Sequence, residues 1–290
     1  MKKTILATML ALATSVASAQ VAVSGKVSEW VDNTKTGATR ATSLVTEPTS
    51  NFAFAANEKL ANGLTARAVV DTSLNGNTIN GSGTQLGDRQ GTVGIASKFG
   101  SIDLGRNVHS EFLAITNNDV FGTMYGSVAG DVHNLRGLRM SNATFVSVNL
   151  TKSLTVTADN EQNGNASSYS ASGSAFGVNG TVATYTQGAE KSTVVGVNTK
   201  VGNTIFTYTH SDDKGVVNRK GDLAGVASSF GPYTTKASFG KTNSDVKVYA
   251  LGLDYNLSKR TAVGFAYSNV DATGTAHDVS KVGVGLTHRF

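Results

Sequence analysis

Few residues of this sequence have a type and spacing that could perform covalent chemistry. The five histidines are His109, His133, His210, His277 and His288. None of them stands in an HExxH or other metal-ligand pattern, and no Gly-x-Ser-x-Gly occurs to present a nucleophilic serine. The glycine-rich stretch from Gly76 to Gly87 lacks the lysine and helix of a phosphate-binding loop. The sequence therefore indicates no catalytic residues, no metal site and no cofactor.

Charged side chains are the other candidates, because they can act on a passing ion without forming a bond to it. Charges that line a narrow, low-dielectric passage act strongly on ions, and the sign of the charged ring sets the preference. The net charge is +5 and the pI about 9.3. The basic residues are nevertheless scattered and no RNA or DNA motif is present, so we expect no nucleic-acid partner.

The elements that would position such charges are strands, because apolar and polar residues alternate along most of the chain. The end of the sequence shows the pattern most clearly. One face of this last strand carries Val282, Val284, Leu286 and Phe290. The other face carries Lys281, Gly283, Gly285, Thr287 and Arg289. An apolar face and a small-or-charged face are typical of a strand in an outer-membrane barrel.

The beginning of the sequence supports export. Two lysines precede a mostly apolar stretch from Ile5 to Val16, and Ala17-Ser18-Ala19 resembles a cleavage site. We therefore predict that residues 1–19 are a cleaved signal peptide and that residues 20–290 form one barrel domain. Loss of Lys2 and Lys3 lowers the net charge from +5 to +3. Beyond this segment no run of about 20 apolar residues occurs, and a protein that spans a membrane without such helices must be a closed barrel.

The alternating segments number about sixteen, at roughly 9–11 residues each. Short connections alternate with longer ones. The longer ones are expected at Asn33–Ser50, Thr72–Asp88, Asp159–Ser168, Ser211–Gly221 and Asn269–Val279. The longest stretch without alternation is Asn107–Asn134, and such a stretch in a compact domain is usually functional or disordered. Trp30 breaks the alternation and is expected at a rim of the barrel.

Four stretches of the sequence resemble the general diffusion porins of Gram-negative bacteria, of the type that ends Gly-Leu-x-His-x-Phe. The resemblance covers the mature chain from end to end, and the stretches are specific because they occur together in this order. They are residues 50–64, 91–107, 139–145 and 249–261 with 285–290. One departure is Asn51, which stands where some relatives have an arginine.

The resemblance implies an all-β fold: a transmembrane antiparallel β-barrel of about 16 strands whose long third loop folds into the lumen. The break at Asn107–Asn134 lies where that loop should be. The implied partners are two further copies in a homotrimer, outer-membrane lipid and lipopolysaccharide, and the barrel-assembly machinery, for which Phe290 would be the C-terminal signal. The implied location is the outer membrane of a Gram-negative bacterium.

The same resemblance suggests the residues of a pore constriction. Arg106 and Arg139 match the positions of wall cations, and Arg67 joins them because it lies on the polar face of its strand. Glu111 and Asp119 on the long loop are the acidic partners, with Asp131 as a weaker candidate. Each residue also has a structural reading: the arginines could be exposed at strand ends, and the carboxylates could be solvated or fix the loop.

The function that we predict is passive diffusion of ions and small hydrophilic solutes, with a weak anion preference. One alternative is a substrate-specific porin for sugars, phosphate or organic anions. A sugar channel should show a row of lumen aromatics, which the polar faces lack, whereas the arginines could supply a short phosphate path. The other alternative is an outer-membrane enzyme or an adhesin barrel. Composition alone does not exclude a serine–histidine enzyme, and an adhesin would favour longer outer loops.

Overall fold

In the part of the chain that the structure describes, seventeen antiparallel strands form one sheet, which closes on itself because β1 pairs with β17. The computed structural model describes residues 20–74, 85–135, 137–215, 218–272 and 278–290. The expected signal peptide, His277 and the centre of Thr72–Asp88 lie outside these residues. The strands are β1 Gln20–Thr36, β2 Thr39–Thr46, β3 Asn51–Lys59, β4 Thr65–Ser73, β5 Gln90–Ser97, β6 Gly100–Val108, β7 Arg139–Thr151, β8 Leu154–Glu161, β9 Ala166–Ala175, β10 Val178–Gln187, β11 Glu190–Val201, β12 Thr204–Lys214, β13 Arg219–Phe230, β14 Tyr233–Thr242, β15 Val246–Asn256, β16 Thr261–Ala272 and β17 Val279–Arg289.

Two of these strands are halves of a single barrel strand. β2 pairs with the second half of β1, and β3 pairs in the same direction with its first half. The interruption spans residues 47–50 and contains Pro48, which has no N–H to give to a ladder. The barrel therefore has sixteen strands, as the sequence predicts.

The alternation in the sequence corresponds to the two faces of the barrel wall. On β17, Val284 and Leu286 are about half exposed on the outside, at 54% and 52%. Gly283 and Gly285 face inward, where they lie against Tyr125 and Trp30. Such a wall places apolar side chains toward lipid and small or polar ones toward the lumen.

Among the described residues, the longer connections lie at one end of the barrel, together with the two-residue turns 37–38 and 188–189, and the other end has short turns. We call the end that holds Gln20 and Phe290 the terminal end, and the opposite end the loop end. A short 3₁₀ helix, Ala61–Gly63, forms the first turn at the terminal end.

Several longer connections are shorter than the sequence analysis predicts. The expected loop Asn33–Ser50 is wrong, because β1 continues to Thr36 and β2 begins at Thr39. β8 likewise extends to Glu161 and β12 to Lys214. The reason is that polar residues predominate on both faces of these strand ends, so pairing continues where the alternation has disappeared.

The long break in the pattern is a loop inside the barrel, as the sequence predicts, although β6 first continues to Val108. We call residues 109–138 the inner loop. It contains two helices, α1 Ser110–Thr116 and α2 Ala129–Val132. Its buried residues meet inward-facing residues of the wall in one apolar cluster: Ala114, Ile115, Phe121, Val128, Ala129 and Val132 from the loop, and Ala183, Val194, Leu223, Val248 and Ala250 from the strands.

No helix within the described ranges is long and apolar enough to cross a membrane. Helices α1 and α2 rest on neighbouring parts of the wall, α1 against β8–β11 and α2 against β13–β15. The inner loop therefore covers the β8–β17 half of the wall and leaves the β2–β7 half facing the open lumen.

Candidate functional site

The first anchor of the inner loop is a set of buried polar contacts at α1. The Asp159 carboxylate on β8 accepts a hydrogen bond from the Ser110 N–H at 2.7 Å, and the Ser168 hydroxyl on β9 accepts one from the Glu111 N–H at 3.1 Å. Glu111 itself is 2% exposed, and its carboxylate accepts a hydrogen bond from the Ser192 hydroxyl at 2.7 Å. Its negative charge is therefore held against the wall.

Asp119 is the second buried carboxylate of the inner loop, and its partners lie within the loop. It accepts hydrogen bonds from the N–H groups of Phe121 at 3.0 Å and Thr123 at 2.8 Å, and from the Ser127 hydroxyl at 2.6 Å. From the sequence we expect Glu111 and Asp119 to face arginines of the wall. The structure keeps both residues on the loop but engages their carboxylates with these other partners.

The returning part of the loop is anchored by His133, which is fully buried. Its Nδ1 lies 2.8 Å from the hydroxyl of Ser211 on β12. Burial, together with the nearby charges of Arg219 and His210, lowers the pKa of His133 from 6.5 to about 4. The imidazole is therefore neutral near pH 7, which suits a side chain enclosed between loop and wall.

The tip of the inner loop reaches across to β1. The Tyr125 ring stacks on Trp30, with ring centroids 4.1 Å apart and planes inclined by 13°. The Lys26 ammonium lies 3.3 Å from the sulfur of Met124. Trp30 is thus an inward-facing, buried residue at the loop contact, and the expectation that it marks a rim is wrong. The sequence could not show this, because alternation alone does not tell whether a large aromatic residue faces the open lumen or contacts another segment.

Three arginines form a cluster at the loop end of the uncovered half, which we call the arginine cluster: Arg89, Arg106 and Arg139. Arg106 donates from Nε to the Asp88 carbonyl at 2.7 Å, and it also bonds the Ser141 hydroxyl. Arg139 donates from Nε to the Arg89 carbonyl at 2.7 Å. The guanidinium groups are close enough for their charges to repel one another.

The third member of the cluster, Arg89, was not predicted. It donates to the Asp71 carboxylate at 3.3 Å and to the Pro48 carbonyl at 2.9 Å, within the interruption between β2 and β3. Arg89 precedes β5 by one residue, so only the register of β4 and β5 shows that it lies beside Asp71. Asn51, where some relatives have arginine, donates to the same carboxylate at 2.8 Å.

Arg67 lies on the lumen face of β4, as its parity predicts, but it does not join the arginine cluster. It makes a two-pronged ion pair with Asp103 on β6, in which Nε lies 2.6 Å from Oδ1. Bidentate pairs of this kind fix the guanidinium and compensate its charge. Asp103 is the second wall residue that the sequence did not predict. It lies between Ile102 and Leu104, and only these apolar neighbours were used to identify the strand.

A family comparison assigns this architecture. The model of the Gram-negative porin family matches residues 6–290 of the sequence. The chain belongs to the Gram-negative porin family. A search of curated proteins gives no match.

Solved porin structures resemble this porin in fold. An anion-selective porin from Comamonas acidovorans has a TM-score of 0.85 at 18% identity, covering 94% of this chain and 100% of that one. OmpF of Salmonella typhi, in a complex with daunomycin, has a TM-score of 0.76 at 14% identity, covering 93% and 97%. OmpT of Vibrio cholerae, in a trimer form, has a TM-score of 0.73 at 11% identity, covering 94% and 99%.

The family and the closed barrel establish the general function of this porin. It is a channel for passive diffusion across the outer membrane, and the resemblance stated from the sequence is confirmed. The arginine cluster and the Arg67–Asp103 pair lie on the β2–β7 half of the wall, which the helices of the inner loop do not contact.

Proposed function

We propose that this porin is a general diffusion channel with a weak preference for anions. The observation that carries the proposal is an imbalance in how the two signs of charge are used. The Glu111 and Asp119 carboxylates are buried and bound by loop or wall groups. Arg106 and Arg139 donate to carbonyl and hydroxyl oxygens, which carry no charge. The carboxylates near Arg139 are Asp71 and Asp88, so the three guanidinium groups of the arginine cluster outnumber them.

The five residues predicted for the constriction then have three different roles. Arg106 and Arg139 supply most of the positive potential that attracts anions into the passage, and Arg89 adds less because it pairs with the Asp71 carboxylate. Arg67 contributes less, because Asp103 compensates its charge. Glu111 and Asp119 act as positioning residues that hold the inner loop in the lumen.

We further propose that the porin is not an enzyme and that it works as a homotrimer. A Gram-negative porin family match and an open passage support transport without catalysis. The outer wall exposes many large apolar residues, which could face either lipid or a second copy. Analysis of the detergent-solubilised protein by light scattering should give the mass of three chains, and a monomer mass would contradict this part of the proposal.

The remaining expectations concern export and assembly. We propose that residues 1–19 are removed as a signal peptide, that the wall contacts lipid and lipopolysaccharide, and that Phe290 is read by the barrel-assembly machinery. The Phe290 backbone pairs with Gly25 at 3.1 Å in both directions, so the terminal strand is seated in the sheet. N-terminal sequencing of the mature protein should begin at Gln20.

Liposome swelling tests the proposed transport directly. Vesicles containing the porin are placed in solutions of neutral, anionic and cationic solutes of similar size. We expect swelling with all three classes and the fastest rate with the anion. Swelling with one class of solute alone would instead indicate a substrate-specific channel.

A further inference from the structure

The stack of Trp30 on Tyr125 lies between two cavities of the lumen. The cavity toward the terminal end has a volume of about 220 Å³ and extends to Thr287 and Arg289. The cavity toward the loop end has a volume of about 400 Å³ and extends to Val279 and Lys281. Met124 and Tyr125 of the loop tip and Ala266 of β16 line both, so the loop tip forms most of the wall that they share.

The barrel wall beside the stack is shaped around these two rings. Gly264 and Gly285 lie against the Trp30 indole, and Gly283 lies against the Tyr125 ring. A Cβ atom at any of these three glycines would overlap the ring next to it. Beside the two rings the wall carries these glycines and the small Ala266, so the rings fill most of the space that separates the cavities.

We propose that the Trp30–Tyr125 stack closes a second aqueous passage, which runs behind the tip of the inner loop along β14–β17 and β1. The proposal rests on the assigned channel function and adds a second path to it. Removing either ring would join the two cavities, because the neighbouring wall positions are glycines. The native protein would then conduct through the passage beside the arginine cluster alone.

The charges that line the closed passage differ from those of the open one. The cavities are lined by the carboxylates of Glu47, Asp254, Asp32 and Asp131 and by the cations Lys236, Arg289 and Lys281. Lys236 already pairs with Asp254 at 2.9 Å, and Glu47 pairs with Lys26 at 2.6 Å. A joined passage with this lining favours cations more than the arginine cluster does.

Separate blockage of the open passage tests the proposal. The chain has no cysteine, so a single introduced thiol can be labelled without background. Ala53 on β3 pairs with Asp71 and shares its lumen face, away from both cavities. A bulky neutral thiol reagent on Ala53→Cys should remove most of the current of the otherwise native porin in a planar bilayer.

The same labelled cysteine is then combined with Trp30→Ala or Tyr125→Ala. We expect current to persist after labelling, with a reversal potential in a salt gradient that is shifted toward cation selectivity. Trp30→Phe keeps a ring in place and is the matched control, for which labelling should still remove most of the current. Trp30→Ala and Tyr125→Ala are independent variants, so failure of one to fold leaves the other as the test.

Two results would overturn the inference. One is complete block of both alanine variants by the label, which would mean that no second path opens. The other is a rise in unlabelled conductance that the label abolishes, which would mean that the loop merely moved away from the arginine cluster. Absence of any current in the native porin would instead contradict the channel function itself, so the two failures are distinguishable.

Discussion

The two halves of the barrel wall use their inward-facing polar residues in opposite ways. On the half formed by β8–β17, Asp159, Ser168 and Ser192 bind the inner loop and are buried. On the half formed by β2–β7, Arg106 and Arg139 bind backbone carbonyl oxygens, which do not neutralise their charge. One half fixes the position of the loop, and the other faces the solute.

This difference shows how a hollow protein can have both a core and a passage. The apolar cluster of this porin lies beneath the inner loop, so the loop packs as the core of an ordinary domain would. Charged groups outside that cluster face water, and their electrostatic field attracts or repels ions in the lumen. Substitutions on the two halves of the wall should weaken one or the other of these roles.

The largest effect is expected when the charge of the uncovered half is removed. In the triple variant Arg89→Gln, Arg106→Gln, Arg139→Gln, the ratio of anion to cation permeability should fall to about one or below, because three positive charges are lost while the Asp71 and Asp88 carboxylates remain. The reversal potential in a salt gradient measures this ratio. The control variant removes three exposed positive charges of the outer surface and should leave the permeability ratio unchanged: Lys191→Gln, Lys214→Gln and Lys247→Gln. An equal change in both variants would contradict a local role of the arginine cluster.

On the covered half, acidification should loosen the loop through His133. The pKa of His133 in the folded protein, about 4, lies below the usual 6.5. The imidazole therefore binds a proton more readily when the inner loop has detached from the wall. The stabilisation is full above pH 6.5 and is lost progressively as the pH falls to about 4, on the order of 3 kcal/mol in total. Open-channel current noise should therefore rise over this pH range. His133→Asn should flatten that rise in current noise. The control His210→Asn, at a partly exposed residue paired with Asp222, should retain it. Persistence of the rise in His133→Asn would exclude His133 as its source.

A smaller loosening is expected at the first anchor. Asp159→Ala leaves the buried Ser110 N–H without its acceptor, at a cost of about 1–3 kcal/mol. The loop should detach more often, so the open-channel noise should increase at neutral pH with little change in selectivity. Asp271→Ala, at an exposed position on β16, is the matched control. Unchanged noise in Asp159→Ala would show that this contact does not hold the loop.

The smallest effect on selectivity is expected at the Arg67–Asp103 pair. Arg67→Gln alone should shift the reversal potential modestly toward cations, because the carboxylate of Asp103 is then uncompensated. The double variant Arg67→Gln, Asp103→Asn should return the potential close to the native value. A double variant as displaced as the single one would mean that the Arg67 charge acts on ions directly.

Most of the fold could be predicted from the sequence, because a wall with lipid on one side and water on the other imposes a period of two. Val282, Val284 and Leu286 show that period on the outside, and the interruption of the pattern locates the inner loop. The period disappears at Asn33–Ser50, where polar residues predominate on both faces, and there the predicted boundaries are wrong.

The details of the site could be predicted only in part. Family position indicated Arg106 and Arg139, but no local pattern distinguishes a carboxylate that faces the lumen from one that anchors a loop, as Glu111 and Asp119 do. Arg89, Asp103 and Trp30 were missed as site residues for a related reason. Their roles depend on which residues the register places opposite them, and the register is a property of the closed sheet.

The most direct test of the central claim is the single-channel current of the refolded porin in a planar bilayer with a salt gradient across it. We predict stepwise, ohmic openings and a reversal potential whose sign shows anion preference. Openings with a clear cation preference would contradict the proposed role of the arginine cluster. Absence of current from correctly folded protein would contradict the channel itself.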